Sequence, residues 1–227
     1  MQIVNPDSRD YHMHSLNYSD GLNTIDELVH WAGVFGLREI AITDHSQATL
    51  DKSSLARKGY RGIVQTERRW KNVHDNGVNV IFGVEGDILN EEGDICDQIQ
   101  GKKGDFLVLS LHKEVYSGDF TKVTDAYCQA IKRFGREIAV LGHPCINAPY
   151  QQQLDITAVT RRANQYGVPL EFNCANLVNG KTNLQQLKLM LDTAEQIYVN
   201  SDAHTLHELK TLRAAGFAYL WEKGYLS

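Results

Sequence analysis

His12 and His14 are separated by one residue, and Asp20 follows close behind. In an extended strand alternate side chains share a face, so two neutral imidazoles are presented together, an arrangement able to hold a divalent transition metal. Alone, a His-x-His pair is a weak signal, because histidines at this spacing often bind nothing. Its weight comes from further donors downstream: His45 after Thr43-Asp44, Glu85 after Gly83-Val84, and His112 after Ser110-Leu111. His143 follows Gly142, and Asp202 and His204 follow Asn200-Ser201. These nine groups exceed one tetrahedral site. At about three to four protein ligands per catalytic ion they suit two or three divalent cations, with Glu85 as the natural bridging carboxylate. Three such ions would outweigh the charge of Asp20, Glu85 and Asp202, leaving a positive pocket that favours phosphate esters and generates hydroxide near neutral pH. The mixture of imidazole and carboxylate accepts Zn, Mn or Fe.

The elements that must position these donors repeat along the chain. Seven apolar, β-rich segments are expected at Arg9–His12, Glu39–Thr43, Asn79–Val84, Phe106–Ser110, Ile138–Leu141, Val168–Phe172 and Ile197–Asn200. Helical patterns fall between them at Thr24–Phe35, Leu55–Asn76, Thr121–Phe134, Leu154–Tyr166, Asn183–Glu195 and Leu206–Ala215, while Gly86–Gly104 is less clearly helical. Thr24 is a capping residue with acidic groups behind it, and Leu28, Trp31, Ala32 and Phe35 are spaced as one buried stripe. Strands alternating with helices predict a parallel sheet, and continuous apolar strands predict burial on both faces. The expected architecture is α/β, a distorted seven-stranded (β/α)7 TIM-like barrel forming a single domain over residues 1–227. A doubly wound open sheet is the competitor, but it would carry a Gly-rich turn where this chain has histidines. Six of the seven strands then deliver a donor at the C-terminal end, where barrel active sites sit.

Composition sets outer limits. The chain is 42% hydrophobic and 22% charged, ordinary for a globular protein. It has no run of about 18 apolar residues and no secretory signal, so no membrane span and a cytoplasmic location are expected. Cys96, Cys128, Cys145 and Cys174 lie far apart and read as reduced, buried thiols. A net charge of −5 argues against long nucleic acid as a partner. His30 and His74, inside helical patterns, and His207, one turn past His204, read as packing or solvated residues. Asp44 and Asp87 either orient a ligand histidine or cap a loop. Lys113 and Arg57, the latter beside Lys58, are candidate phosphate contacts, although such residues are usually exposed. Asn173, at a strand end, either touches substrate or orders a ligand.

The ordered set of motifs, His12-Met13-His14-Ser15 with Ser19-Asp20-Gly21, Ile42-Thr43-Asp44-His45, Gly83-Val84-Glu85, Ser110-Leu111-His112, Gly142-His143-Pro144 and Ser201-Asp202-Ala203-His204, resembles the PHP (polymerase and histidinol phosphatase) family of metal-dependent phosphoesterases. The resemblance runs from Tyr11 to about Leu209. It implies a distorted seven-stranded barrel and a division of the ligands. His12, His14, Glu85 and Asp202 would hold one metal, Glu85, His112 and His143 a second, and Asp20, His45 and His204 a third. Asp44-His45-Ser46 and Glu171-Phe172-Asn173 look most like stand-alone YcdX-type proteins and the PHP domain of bacterial X-family polymerases. Tyr11 stands where the family commonly has Leu or Phe.

The leading expectation is hydrolysis of a small phosphate monoester by a metal-bound hydroxide at a trinuclear site, as in a histidinol phosphatase. Three alternatives stand beside it. One is a nuclease or nucleotide phosphatase acting on short oligonucleotides or nucleoside bisphosphates. The others are an amidohydrolase-type C–N hydrolase, which also begins with His-x-His, and a non-catalytic metal-binding regulatory domain.

Overall fold

The computed structural model describes residues 1–6, 8–52, 73 and 76–226. Its strands are β1 (Gln2–Ile3), β2 (Arg9–Asp10), β3 (Glu39–His45), β4 (Asn79–Ile88), β5 (Ile95–Cys96), β6 (Gln98–Ile99), β7 (Lys102–Lys103), β8 (Phe106–Ser110), β9 (Val140–Leu141), β10 (Leu170–Asn173) and β11 (Gln196–Asn200). The helices are α1 (Ile25–Val34), α2 (Gln47–Lys52), α3 (Val123–Phe134), α4 (Ile156–Tyr166), α5 (Cys174–Val178), α6 (Leu184–Thr193) and α7 (Leu206–Glu222). Eight strands form one curled parallel path in the order β1-β11-β10-β9-β8-β4-β3-β2, and β5 joins β4 antiparallel. Seven of the eight overlap the segments expected from sequence; the additional one is β1. Among the described residues the ladder has two ends rather than forming a ring. Among the described residues a single parallel bridge, Met13 to Ala203, joins the segment after β2 to the one after β11. There His14 N–H donates to Ala203 O (2.9 Å), Asp202 N–H to His12 O (2.9 Å), and Thr43 N–H to Met13 O (2.9 Å).

Alternation of side chains sorts each strand onto two faces. One face packs under helices: Ile40, Ile42, Phe82 and Val84 cluster with Leu28, Val29 and Ala32 of α1. Leu107, Leu109, Leu141, Leu170, Phe172 and Val199 cluster with residues of α3, α4, α6 and α7. The opposite face starts, at the N-terminal end of the strands, with a plug of Tyr11, Ala41, Phe106, Val108 and Val140. Further along the same face the residues turn polar: Glu85 and Asp87 on β4, Ser110 on β8, Glu171 and Asn173 on β10, and Asn200 on β11. The strands read as apolar on both faces, yet one face becomes polar at its C-terminal end.

Helix ends follow their local chemistry. Thr24 caps α1 in a capping box with Glu27, and Thr205 does the same for α7 with Glu208. Three expectations are corrected. The buried stripe of α1 is Ile25, Leu28, Val29 and Ala32, while Trp31 is 38% exposed and Phe35 half-buried; the 3.6-residue period carries Trp31 round to the solvent edge. Helix α7 runs on to Glu222, held by buried Leu212 and Leu220. Cys96 and Cys128 are half-buried, and only Cys145 and Cys174 are fully inside; all four are free thiols. The stretch Gly86–Gly104 holds the end of β4 and the short strands β5 to β7, joined by turns, rather than a helix. Most of the expected helix Leu55–Asn76 lies outside the described residues, as do Arg57, Lys58 and His74. No helix among the described residues is long and apolar enough to cross a membrane.

Tyr11 stacks on Phe106 (4.9 Å between centroids), meets Tyr198 edge-on (5.4 Å), and donates its hydroxyl to Glu39 Oε1. That hydrogen bond, with a second from Asn79, holds the Glu39 carboxyl below its ordinary 4.5. A depressed carboxyl contributes stability that is present above its unfolded pKa and lost as the pH falls through the folded one. Tyr11→Phe should therefore cost about 0.5–1 kcal/mol at pH 7, a deficit that shrinks as the pH falls below the ordinary 4.5 and through the lowered folded value, where Glu39 protonates. Urea unfolding of both proteins at pH 7 and pH 3.5 measures this, and an equal deficit at the two values would contradict it.

Candidate metal centre

The parallel strands bring the nine sequence-selected donors to one edge of the sheet. His45 is the last residue of β3 and pairs in register with Glu85 on β4. His112 lies just past β8, His143 just past β9, and Asp202 and His204 just past β11. Strand β2 stops at Asp10, so His12 and His14 lie beyond it, on the segment that bridges to Ala203. Close packing at this edge requires glycine at Gly21, where a Cβ would collide with the His14 carbonyl, and at Gly142, where it would collide with Ser110 Oγ.

Glu85 is 1% exposed and sits at the centre. Its oxygens lie 2.8 Å from His143 Nε2, 2.9 Å from His45 Nδ1, 3.4 Å from His112 Nε2, and 3.5 Å from the Nε2 atoms of both His12 and His14. Ser110 Oγ donates to it at 2.7 Å. Asp202 Oδ1 is 3.2 Å from His14 Nε2 and 3.5 Å from His12 Nε2. Asp20 Oδ1 is 3.2 Å from His204 Nε2 and 3.6 Å from His45 Nε2. Among the described residues, three groups have donor atoms within 4.8 Å of one another: His14-Asp20-His45-His204, His12-His14-Asp202 and His45-Glu85-His112. This grouping overlaps the division implied by the family resemblance but shares His14 and His45 between groups.

Tautomers are set from behind. His12 Nδ1 faces Glu171 Oε1 (2.8 Å), His112 Nδ1 faces Asp87 Oδ1 (2.7 Å), and His204 Nδ1 faces the Asp202 carbonyl (3.0 Å). Ser19, which donates to Asp20 Oδ1 (3.1 Å), is left to accept from His14 Nδ1 (3.1 Å). With a proton on each Nδ1, four Nε2 lone pairs point into the cluster, the orientation metal-binding imidazoles require. His12 Nε2 and His14 Nε2 then face each other at 3.2 Å, tolerable only with a proton or a cation between them. Among the described residues the buried Nδ1 atoms of His45 and His143 make no hydrogen bond, although His45 Nδ1 lies close to Glu85. The donor set therefore fits divalent cations.

The electrostatics carry the same demand. Burial opposes charge on His12, but Glu171, Asp202 and Glu85 overcome it and hold its pKa well above the ordinary value. Burial likewise opposes charge on Glu85, and His112, His12 and His45 override it, pulling that carboxyl well below its usual range. His14 goes the other way: burial, with His204 and His45 beside it, lowers it to about 3. The buried carboxylates call for positive charge, and the crowded imidazoles cannot all provide it as protons.

The remaining candidates divide. Asp87 accepts from His112 and also from Ser46 Oγ (2.6 Å) and Thr49 Oγ1 (2.7 Å), so it orients a histidine. Asp44 makes no hydrogen bond to a histidine among the described residues; it accepts from Ser15 N–H and Ser15 Oγ, both 2.6 Å, and fixes the loop behind His14. Burial pushes its carboxyl up to about 7. Asn173 donates to Asp202 Oδ2 and Glu171 Oε2, both 3.0 Å, and caps α5. Lys113 is exposed, as is His207 on α7, and His30 packs edge-on against Trp31. Glu171 escaped the sequence reading as a functional residue, although a carboxylate in the middle of an apolar, doubly buried strand must be paired.

Residues 10–173 match the PHP domain model. The chain belongs to the PHP domain family. A probable phosphatase of Thermoanaerobacter sp. (strain X514) is 29% identical over 223 residues, covering 91% of this chain and 86% of the relative. The probable phosphatase YcdX of Escherichia coli O1:K1 / APEC is 25% identical over 202 residues, covering 86% and 78% respectively. Among solved structures, histidinol phosphate phosphatase from Lactococcus lactis, complexed with Zn, L-histidinol and phosphate, shares the fold with a TM-score of 0.54 at 17% identity. The match covers 95% of this chain and 94% of that one.

Proposed function

We propose that this chain is a metal-dependent phosphatase that hydrolyses a small phosphate monoester, with residues 1–227 acting as one TIM-like domain in the cytoplasm. Its metal ligands would be His12, His14, Asp20, His45, Glu85, His112, His143, Asp202 and His204, holding two or three divalent ions of Zn, Mn or Fe. The observation that carries this reading is the convergence of those nine donors at one sheet edge, with four Nε2 lone pairs turned inward by acceptors behind them. The relatives named probable phosphatases support the reaction class. Cations bound there would neutralise phosphate oxygens and acidify a water near neutral pH.

The chain's own residues have separate jobs. Glu85, in reach of five imidazoles, would bridge the ions. Asp87 and Ser19 hold His112 and His14 in the ligating orientation. Asn173 steadies Asp202, and exposed Lys113 stands beside His112 as a phosphate contact. A pocket of about 240 Å³, counting its open mouth, lies beside His143 and Asn173 and is lined also by Cys145, Ile146, Asn176 and Thr182.

Phosphate release from a panel of aryl, sugar, amino-alcohol and nucleotide monoesters, with a dinucleotide and a simple amide alongside, tests the reading. The expected result is turnover of monoesters that requires Mn²⁺ or Zn²⁺. Turnover confined to the dinucleotide or the amide would overturn it.

A further inference from the structure

Glu171, on β10, is 1% exposed. Four donors converge on it. Oε1 accepts from His12 Nδ1 (2.8 Å) and Asn200 Nδ2 (2.9 Å), and Oε2 accepts from His143 N–H (2.8 Å) and Asn173 Nδ2 (3.0 Å). A carboxylate has about four lone-pair positions, so its capacity is filled. The backbone it holds directly, that of His143, is in the left-handed region (φ 27°). Such conformations cost energy in non-glycine residues and persist only where the surroundings hold them.

Resting on the metal-site reading above, we infer that Glu171 is the positioning residue of the cluster, fixing His12 with its proton on Nδ1 and its Nε2 bare for a cation, while holding His143 in its left-handed turn. The reason only a carboxylate serves lies in the donors. Asn200 cannot invert its amide, because its Oδ1 already accepts from Asn5 Nδ2 and Tyr11 N–H. Asn173 cannot invert either, because its Oδ1 accepts from Asn176 N–H. His143 offers a backbone donor. His12 alone can exchange tautomers. In Glu171→Gln the amide group meets two fixed donors on the His143 side and only one, Asn200 Nδ2, on the His12 side, so it turns toward His12, which yields by moving its proton to Nε2, the nitrogen the cluster needs unprotonated.

Two measurements on the full chain test this. Zn²⁺ affinity, read by competition with a chromophoric chelator, should fall about 10–100-fold in E171Q. Long-range ¹H–¹⁵N spectra of the Zn²⁺-loaded protein, with His12 assigned by its loss in His12→Ala, should show a proton on Nδ1 in the wild type and not in E171Q. Glu171→Asp, which keeps the charge and both oxygens, should retain that Nδ1 proton and guards against an E171Q chain that does not fold. Unchanged affinity with the Nδ1 proton retained in E171Q overturns the inference, as does a wild-type His12 protonated on Nε2. A wild-type protein that binds no Zn²⁺ overturns the metal-site reading itself, a different result.

Discussion

Glu85→Ala should lower kcat/KM for a phosphate monoester at least about 1,000-fold, equivalent to about 4 kcal/mol of transition-state stabilisation. Among the described residues, Glu85 is the one carboxylate within 3.5 Å of five site imidazoles, from His12, His14, His45, His112 and His143. Its removal strips every one of those histidines of its shared anionic partner and leaves them facing one another across a buried space. The loss should appear in kcat rather than KM alone, because a carboxylate that would bridge the proposed ions serves the reacting charge and not just substrate capture. Glu85→Gln, which keeps the volume and one carbonyl oxygen for Ser110 Oγ, should recover packing but little activity. Activity within tenfold of wild type in Glu85→Ala would mean that the donors are not organised about this carboxylate.

Removal of divalent cations should destabilise the fold as well as silence it. A ligand present at 1,000 times its Kd stabilises the native state by about 4 kcal/mol per site. For a chain of this size that corresponds to roughly 8–16 °C in Tm. The physical source is the frustrated charge at the sheet edge: burial works against the anionic forms of Glu85 and Asp202, and imidazoles packed ring to ring, such as His14 and His204 at 4.3 Å, resist joint protonation. A cation relieves both at once. Thermal unfolding followed by circular dichroism, in chelator and then with Mn²⁺ or Zn²⁺ restored, measures the shift. Coincident melting curves would remove the cations from any structural role.

The donors were readable in the sequence because a parallel sheet gathers the ends of its strands. A residue such as His143, placed between Gly142 and Pro144 after the apolar run Ile138–Leu141, has its position in space set by its position in the chain. The groups that aim the donors were less readable. Glu171 and Asp87 act through strand neighbours far apart in sequence, and their partners depend on register: Asp87 reaches His112 because β4 and β8 pair with Asp87 opposite Ser110. Trp31 shows the limit of periodicity, since a stripe drawn at three- and four-residue steps fits several faces of a short helix until the packed partner is known. The extra strand β1 has only two residues, too few for a pattern, and owes its place to pairing with β11. Tyr11 is a different case: in sequence it reads as a harmless variant of Leu or Phe, and only the sheet brings Glu39 to its hydroxyl.

Phosphate release by metal-stripped protein, titrated with Mn²⁺ or Zn²⁺ while bound metal is counted, tests the central claim most directly. Turnover should be absent in the stripped protein and rise as ions fill the cluster, reaching its plateau at two or three per chain. Turnover of a phosphate monoester at full rate with less than one ion bound per chain would contradict it.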